Sequence, residues 1–179
     1  MMADHEVILQ ALRILEAIIA EIYDGKTPDT RDMHALLTFL REFADGSHHV
    51  KEEAILFPAL IQTGMTLQEG PLRIMSFEHE RGRALASAME DALSRKDYPG
   101  FAGYARRYVE LLGQHIEKEN YALFDLAERA LTDEEDQRIA DAFQEFEQNI
   151  VGRTTYEKMH GMIESLAAKY ATPAASVSR

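Results

Sequence analysis

Two stretches of this chain carry the same pattern: His48-His-Val-Lys-Glu52-Glu-Ala-Ile-Leu-Phe57 is echoed by His115-Ile-Glu-Lys-Glu119-Asn-Tyr-Ala-Leu-Phe124. In each, a histidine is followed four positions later by a glutamate and then by an apolar pair. On an α-helix, residues i and i+4 stand one turn apart on the same face, so one imidazole and one carboxylate can point at a common ion. Two such helices side by side could hold two metal ions between them. This pairing limits the fold to one that packs helices with their His/Glu faces inward.

At 179 residues the chain has the length of one domain with a substantial core. Lys and Arg number 19 against 31 Asp and Glu, a formal charge of −12, which opposes binding to nucleic acid or to an anionic membrane surface. Cysteine is absent, which excludes disulfides, thiolate zinc sites, cysteine-ligated clusters and cysteine nucleophiles. Any metal is therefore held by N and O ligands. The opening Met-Met-Ala-Asp-His-Glu lacks a basic segment leading into an apolar run, and no later apolar stretch has the length of a bilayer. The expected location is cytoplasmic, with no membrane partner.

Helical periodicity punctuated by caps and breakers runs through almost the whole chain. The first helix is expected from Asp4 to Tyr23, with His5, Ile8, Leu9, Leu12, Leu15 and Ile19 on one stripe and Asp24-Gly25 as its stop. A second covers 29–62, bent near Gly46. A third opens at Gly70-Pro71 and runs to Leu93, and a fourth runs from Pro99 to Leu131. Thr132-Asp-Glu-Glu135 fits a capping box that begins a fifth helical region, weak at Gly152 and reaching Tyr170. The expected fold is all-α, an antiparallel four-helix bundle with an additional C-terminal helical region. Residues 1–171 form the metal-binding bundle and 172–179, rich in Ala and Ser, a flexible tail.

A histidine on a buried helix face must find a hydrogen-bond partner or bind something. His5 lies on the first stripe. His79 aligns with Leu72, Met75, Gly82, Ala86 and Met89. His115 and Glu119 follow Tyr104, Tyr108 and Leu111, with Ala122 and Leu126 continuing that face. The second helix is ambiguous, because His48/Glu52 and His49/Glu53 both have the i, i+4 spacing. Stepping back from His48 meets Ala44, Leu40 and Leu37, whereas stepping back from His49 meets Asp45, Glu42 and Arg41. This favours His48 and Glu52 and sends His49 and Glu53 to the edge, although a bend at Gly46 can rotate the register. The candidate metal ligands are His5, His48, Glu52, His79, His115 and Glu119. If both carboxylates bridge, the six supply about eight of the roughly twelve positions of two octahedral ions. An oxo or hydroxo bridge and a small ligand can fill others. Such N/O ligation suits iron, with manganese or zinc chemically allowed. His34 reads as a surface residue, His160 as a boundary residue, Tyr104, Tyr108 and Tyr121 as core aromatics, and Arg83 as solvent-directed.

The motifs His5 in Asp-His-Glu, His48-His-x-Lys-Glu-Glu-x-x-Leu-Phe-Pro58, Glu78-His79-Glu-x-Gly-Arg83 and His115-Ile-x-Lys-Glu119 together resemble the hemerythrin-like, HHE cation-binding family. The resemblance implies a four-helix bundle with a non-haem centre of two iron ions that binds or reacts with dioxygen. Oxygen-carrying members place a second histidine one turn after the first on the third ligand helix, where this chain has Arg83. That departure sets sensing, peroxide or nitric-oxide chemistry, and iron handling beside reversible oxygen carriage. Dioxygen or a related small oxidant is the expected partner, and the sequence identifies no redox partner. Two other classes stand against this reading. A ferritin-like di-iron oxidase would turn over oxygen repeatedly, but that class uses Glu-x-x-His rather than His-x-x-x-Glu. A metal-free interaction module would retain no iron.

Overall fold

In the first helix of the computed structural model, α1 (Met2–Tyr23), the apolar stripe turns inward as expected: Ile8, Leu12, Leu15 and Ile19 are buried, joined by Ala11, Ile14, Ile18 and Ile22. The structure describes residues 1–151 and 153–170. Just past Asp24, Gly25 adopts φ +74°, a left-handed conformation that favours glycine, and the chain reverses. The Asp29 side chain accepts the Arg31 backbone N–H (3.0 Å) and starts α2 (Thr30–Phe39).

Beyond Phe39 the helix continues but its hydrogen bonding loosens to an i→i+5 pattern in π1 (Leu40–His49), and again in π2 (Glu52–Leu56), before α3 (Phe57–Gln62). The bend expected at Gly46 is therefore a wide turn rather than a break. Gly70 (φ +72°) and Pro71 open α4 (Gly70–Ser94). After a short turn, α5 (Tyr98–Lys118) passes through π3 (Glu119–Leu123) into α6 (Phe124–Ala130). The expected capping box is present: Thr132 and Glu135 satisfy each other's backbone N–H at the start of α7 (Asp133–Phe146). Next come π4 (Glu147–Val151) and α8 (Arg153–Tyr170). The expected weak point at Gly152 and the tail over 172–179 lie outside the described residues.

Helix α5 packs on α4 and α1, and α2 with its π1 extension packs on α4 and α1, which closes a four-membered bundle. Helix α8 lies along α1 and α2, and α7 covers π2. No strand occurs among the described residues, and no described helix is long and apolar enough to cross a membrane.

Two apolar clusters fill the interior. The larger includes Ile8, Leu15, Met33, Phe39, Phe43, Met89, Phe101 and Leu112, and the smaller Leu56, Phe57, Leu60, Leu72, Met75, Leu123 and Ile139. Along three helices the histidine-bearing turn falls between them: His48 and Glu52 between Ala44 and Leu56, His79 between Met75 and Leu85, His115 and Glu119 between Leu112 and Leu123. The site is thus walled by apolar layers on both sides. Leu15 is fully buried in the larger layer. Leu15→Ala should cost about 2–5 kcal/mol, read as a lower denaturation midpoint at unchanged slope. A loss below about 1 kcal/mol would show that this layer is loosely packed.

Candidate metal centre

All six side chains singled out from the sequence come together inside the bundle, each no more than 1% exposed. Their imidazoles form two pairs. His5 Nε2 and His48 Nε2 are 2.9 Å apart, and His79 Nε2 and His115 Nε2 are 3.1 Å apart. The two glutamates span both pairs. Glu52 turns Oε1 toward His48 Nε2 (3.8 Å) and Oε2 toward His79 Nε2 (3.3 Å). Glu119 turns Oε2 toward His5 Nε2 (3.1 Å) and Oε1 toward His115 Nε2 (2.9 Å). None of these four oxygens makes a hydrogen bond.

The other ring nitrogen of each histidine explains the orientation. His5 donates Nδ1–H to Asn120 Oδ1 (2.7 Å), His48 to Asp4 Oδ2 (3.3 Å), His79 to Glu53 Oε1 (2.7 Å) and His115 to Glu78 Oε2 (3.0 Å). With Nδ1 committed as donor, each Nε2 faces the interior, where it offers a lone pair whenever the ring is neutral, the form a metal ligand needs. These bonds close a ring: α5/π3 holds the histidine of α1, α1 that of π1, π2 that of α4, and α4 that of α5. The acceptors are themselves anchored. Asp4 also accepts from Lys51 Nζ (2.7 Å) and Tyr156 OH (2.8 Å), Glu53 from Arg83 Nη2 (2.6 Å), and Glu78 from Lys118.

Such a cluster of charge shifts its own titration. Burial alone would pull His48 below its ordinary 6.5, but Glu52, Asp4 and Glu119 raise it to about 9. His79 is raised to about 10 in the same way, by Glu119, Glu52 and Glu53 against burial. His115 is raised too, by Glu119 and Glu78. Glu119 is held well below the ordinary carboxylate value although burial pushes it up, because His115, His48, His5 and His79 surround it. In the metal-free chain, protons on the imidazoles balance the buried acids.

Several expectations fail, three of them for one reason. His49, expected at the edge, is 3% exposed and stacks on His79 with ring centroids 4.0 Å apart. Burial and the neighbouring His79, His48 and His115 push its pKa well below 6.5. Ala122 and Leu126 are exposed, and Leu123 and Ala127 take their place inside. In both repeats the i→i+5 turn adds a residue and shifts every later face by one position. Tyr121 is exposed, whereas Tyr108 is buried as expected. Arg83 is not directed to solvent alone, since it pairs with Asp45 (2.9 Å) and Glu53 (2.6 Å). His34 is exposed as expected, and His160 packs on Phe43 and Tyr156. Glu53 stands at the edge as expected and orients His79, whereas the other orienting acceptors, Asp4, Glu78 and Asn120, were missed, although each adjoins a candidate ligand in the chain.

Three groups of ligand atoms lie within 4.8 Å of one another: His5/His48/Glu52/Glu119, Glu52/His79/His115/Glu119, and His49/His79/His115. A helical bundle whose interior offers imidazole nitrogens and unsatisfied carboxylate oxygens belongs to the class of N/O-ligand metal-binding proteins. The chain belongs to the hemerythrin HHE cation binding domain family, whose model matches residues 1–127. It is 29% identical over 128 residues to the iron-sulfur cluster repair protein YtfE of Edwardsiella ictaluri, covering 66% of this chain and 57% of that one. It is 31% identical over 131 residues to the protein of the same description from Salmonella schwarzengrund, covering 68% and 56%. The match spans little more than half the length of these relatives. No solved structure matches.

The direction of the titration shifts has a consequence for stability. A histidine whose folded-state pKa is raised stabilises the fold in full below 6.5, and the contribution is lost as pH rises through about 9 for His48 and about 10 for His79. Melting of the chelator-treated chain should therefore drop as pH rises from 6.5 to about 10. A melting temperature that stays flat or climbs across that window would contradict the buried charge balance.

Proposed function

We propose that the chain binds two iron ions between its helices, with Glu52 and Glu119 bridging, His5 and His48 on one ion, and His79 and His115 on the other. The observation that carries this reading is the pair of buried glutamates, each with its two oxygens turned to different imidazoles and none hydrogen-bonded. A buried carboxylate in this state calls for positive charge: protonated imidazoles supply it in the metal-free chain, and a metal ion would meet both oxygens and the facing Nε2 atoms at once. The same feature counts against a metal-free interaction module. We further propose that α7 and α8 belong to the same working unit as the bundle, because Tyr156 binds Asp4 and Glu147 pairs with Lys51.

Iron held by these residues would supply electron exchange with dioxygen, peroxide or nitric oxide, the small ligands that the proposed site would bind, sense or consume. The residues do the rest. Glu52 and Glu119 keep the ions together and offset their charge. The Nδ1 acceptors keep each imidazole neutral at Nε2 and fixed in direction. The flanking apolar layers exclude water and raise the strength of every polar contact inside. A cavity of about 220 Å³ abuts His49, with Leu37, Leu40, Gly82, Ala86 and Tyr108 on its apolar side and Arg41, Asp45, Arg83, Ser87 and Glu90 on its polar side. The relatives' description, iron-sulfur cluster repair, fits a chain that handles iron and small oxidants together.

The test is metal analysis after anaerobic iron(II) loading, with an optical spectrum before and after air. Wild type should hold close to two irons and change its spectrum on oxidation. His115→Ala and Glu119→Ala should lose iron, and His34→Ala, exposed on α2, should not. Equal iron content in all three variants would sink the assignment, and repeated oxygen consumption would turn it toward an oxidase.

A further inference from the structure

His49 stands apart from the six residues assigned above, yet it is buried as deeply as they are and is built the same way. Its Nδ1 faces Asp45 Oδ1 at 3.3 Å, as the other four histidines face Asp4, Glu53, Glu78 and Asn120. Asp45 is in turn gripped by Arg83 at 2.9 Å. The remaining ring nitrogen, Nε2, is buried and has no hydrogen-bond partner. A neutral imidazole with its lone pair enclosed and unmatched is a ligand without its ion or a standing defect.

The surroundings decide between these. The His49 ring lies parallel to His79 (centroids 4.0 Å apart, 15°) and edge-on to His115 (5.5 Å, 86°). One nitrogen from each of the three falls within 4.8 Å of the others. Three nitrogens on one ion with bonds of about 2.1 Å stand roughly 3–4 Å apart. A modest contraction of the buried group reaches that spacing. His48 and His49 are consecutive, and a regular α-helix would point them about 100° apart. The i→i+5 turn of π1 turns both inward, one to each imidazole pair.

We propose that His49 is a metal ligand, completing a three-histidine set with His79 and His115. The two ions are then unequal: one has His5, His48 and the shared glutamates, and the other has His49, His79, His115 and the same glutamates. Arg83 belongs to this arrangement. It stands one turn after His79, and instead of ligating it bridges Asp45 and Glu53, the acceptors that orient His49 and His79. The nitrogen ligand absent from α4 is supplied across the bundle from π1.

This inference rests on the two-iron reading, and the experiment separates their failures. Wild type and His49→Ala are loaded with iron(II) without oxygen, and metal content and the affinity of each ion are measured. Wild type should hold two irons. His49→Ala should keep one and bind the other at least about tenfold more weakly, with its spectrum altered. If His49→Ala binds both ions with unchanged affinity and spectrum, His49 is not a ligand and the six-residue site stands. If wild type binds none, both readings fall. A second measurement does not depend on the variant folding. In the cobalt(II)-loaded wild type, each ligating histidine contributes one strongly shifted, solvent-exchangeable Nδ1–H proton resonance. Five such signals support the assignment, and four overturn it.

Discussion

Two carboxylates, Glu52 and Glu119, sit at zero exposure in the middle of the bundle without a hydrogen bond between them and any donor. The surrounding structure answers to that fact. An uncompensated buried carboxylate is costly enough to unfold a domain of this size or to force its own protonation. Neither is seen at Glu119, which is held ionised by the four imidazoles around it. Those imidazoles can play this part only if their lone pairs or protons face inward, which is what the ring of Nδ1 contacts enforces. The acids call for the histidines, and the histidines call for the acceptors Asp4, Glu53, Glu78 and Asn120. One level further out, Lys51, Arg83 and Lys118 hold three of those acceptors. Charge therefore alternates outward from the centre, in shells that end at the surface.

The ring also ties helices together in a way apolar packing does not. Leucine layers tolerate rotation of one helix against another with little change in buried area, but each Nδ1 bond fixes a particular residue of one helix against a particular residue of the next. Four such bonds in a closed circuit fix the rotation of all four helices. The segment beyond the family match enters the same circuit at Asp4. That carboxylate accepts from Tyr156 of α8 as well as from Lys51, whose ammonium is fully buried and also meets Glu147. Removing α8 would leave Asp4, and through it His48, with one donor fewer. The C-terminal helices are structurally coupled to the site although they contribute none of the six candidate ligands.

The helices, their order, the stop at Gly25 and the start at Gly70, the capping box at Thr132 and the six inward-facing candidates were all legible in the sequence, because each rests on local spacing or on a residue with one strong conformational preference. What failed was arithmetic carried past a wide turn. Counting at 3.6 residues per turn works from Tyr108 to Glu119 and then selects Ala122 and Leu126, where the buried residues are Leu123 and Ala127. The same slip sent His49 outward on the strength of Asp45 and Glu42, which precede it on what would have been one face. Nothing in residue propensity marks an i→i+5 turn, which is a rare local variant of the helix. The orienting acceptors were invisible for a different reason. Each pairs with a histidine on another helix, and such pairings become readable only when the helices are assembled.

The three wide turns nearest the site carry His48, His49, Glu52 and Glu119, and this placement is physically instructive. A regular α-helix offers one inward residue per turn or so, and in a crowded centre this would supply too few ligand atoms from four helices. Widening the turn lets neighbouring residues share the inward face, at the cost of poorer backbone hydrogen bonding in the segment concerned. That cost falls where the apolar layers on either side, Phe39 and Phe43 on one and Leu56, Phe57 and Leu60 on the other, hold the helix in place. The fold thus places its wide helical turns and the unsatisfied oxygens of Glu52 and Glu119 in the same layer. Cations binding the inward nitrogens and oxygens would meet the unsatisfied groups at once, and a metal held in the proposed way would be a structural partner of the bundle as much as the seat of the proposed chemistry.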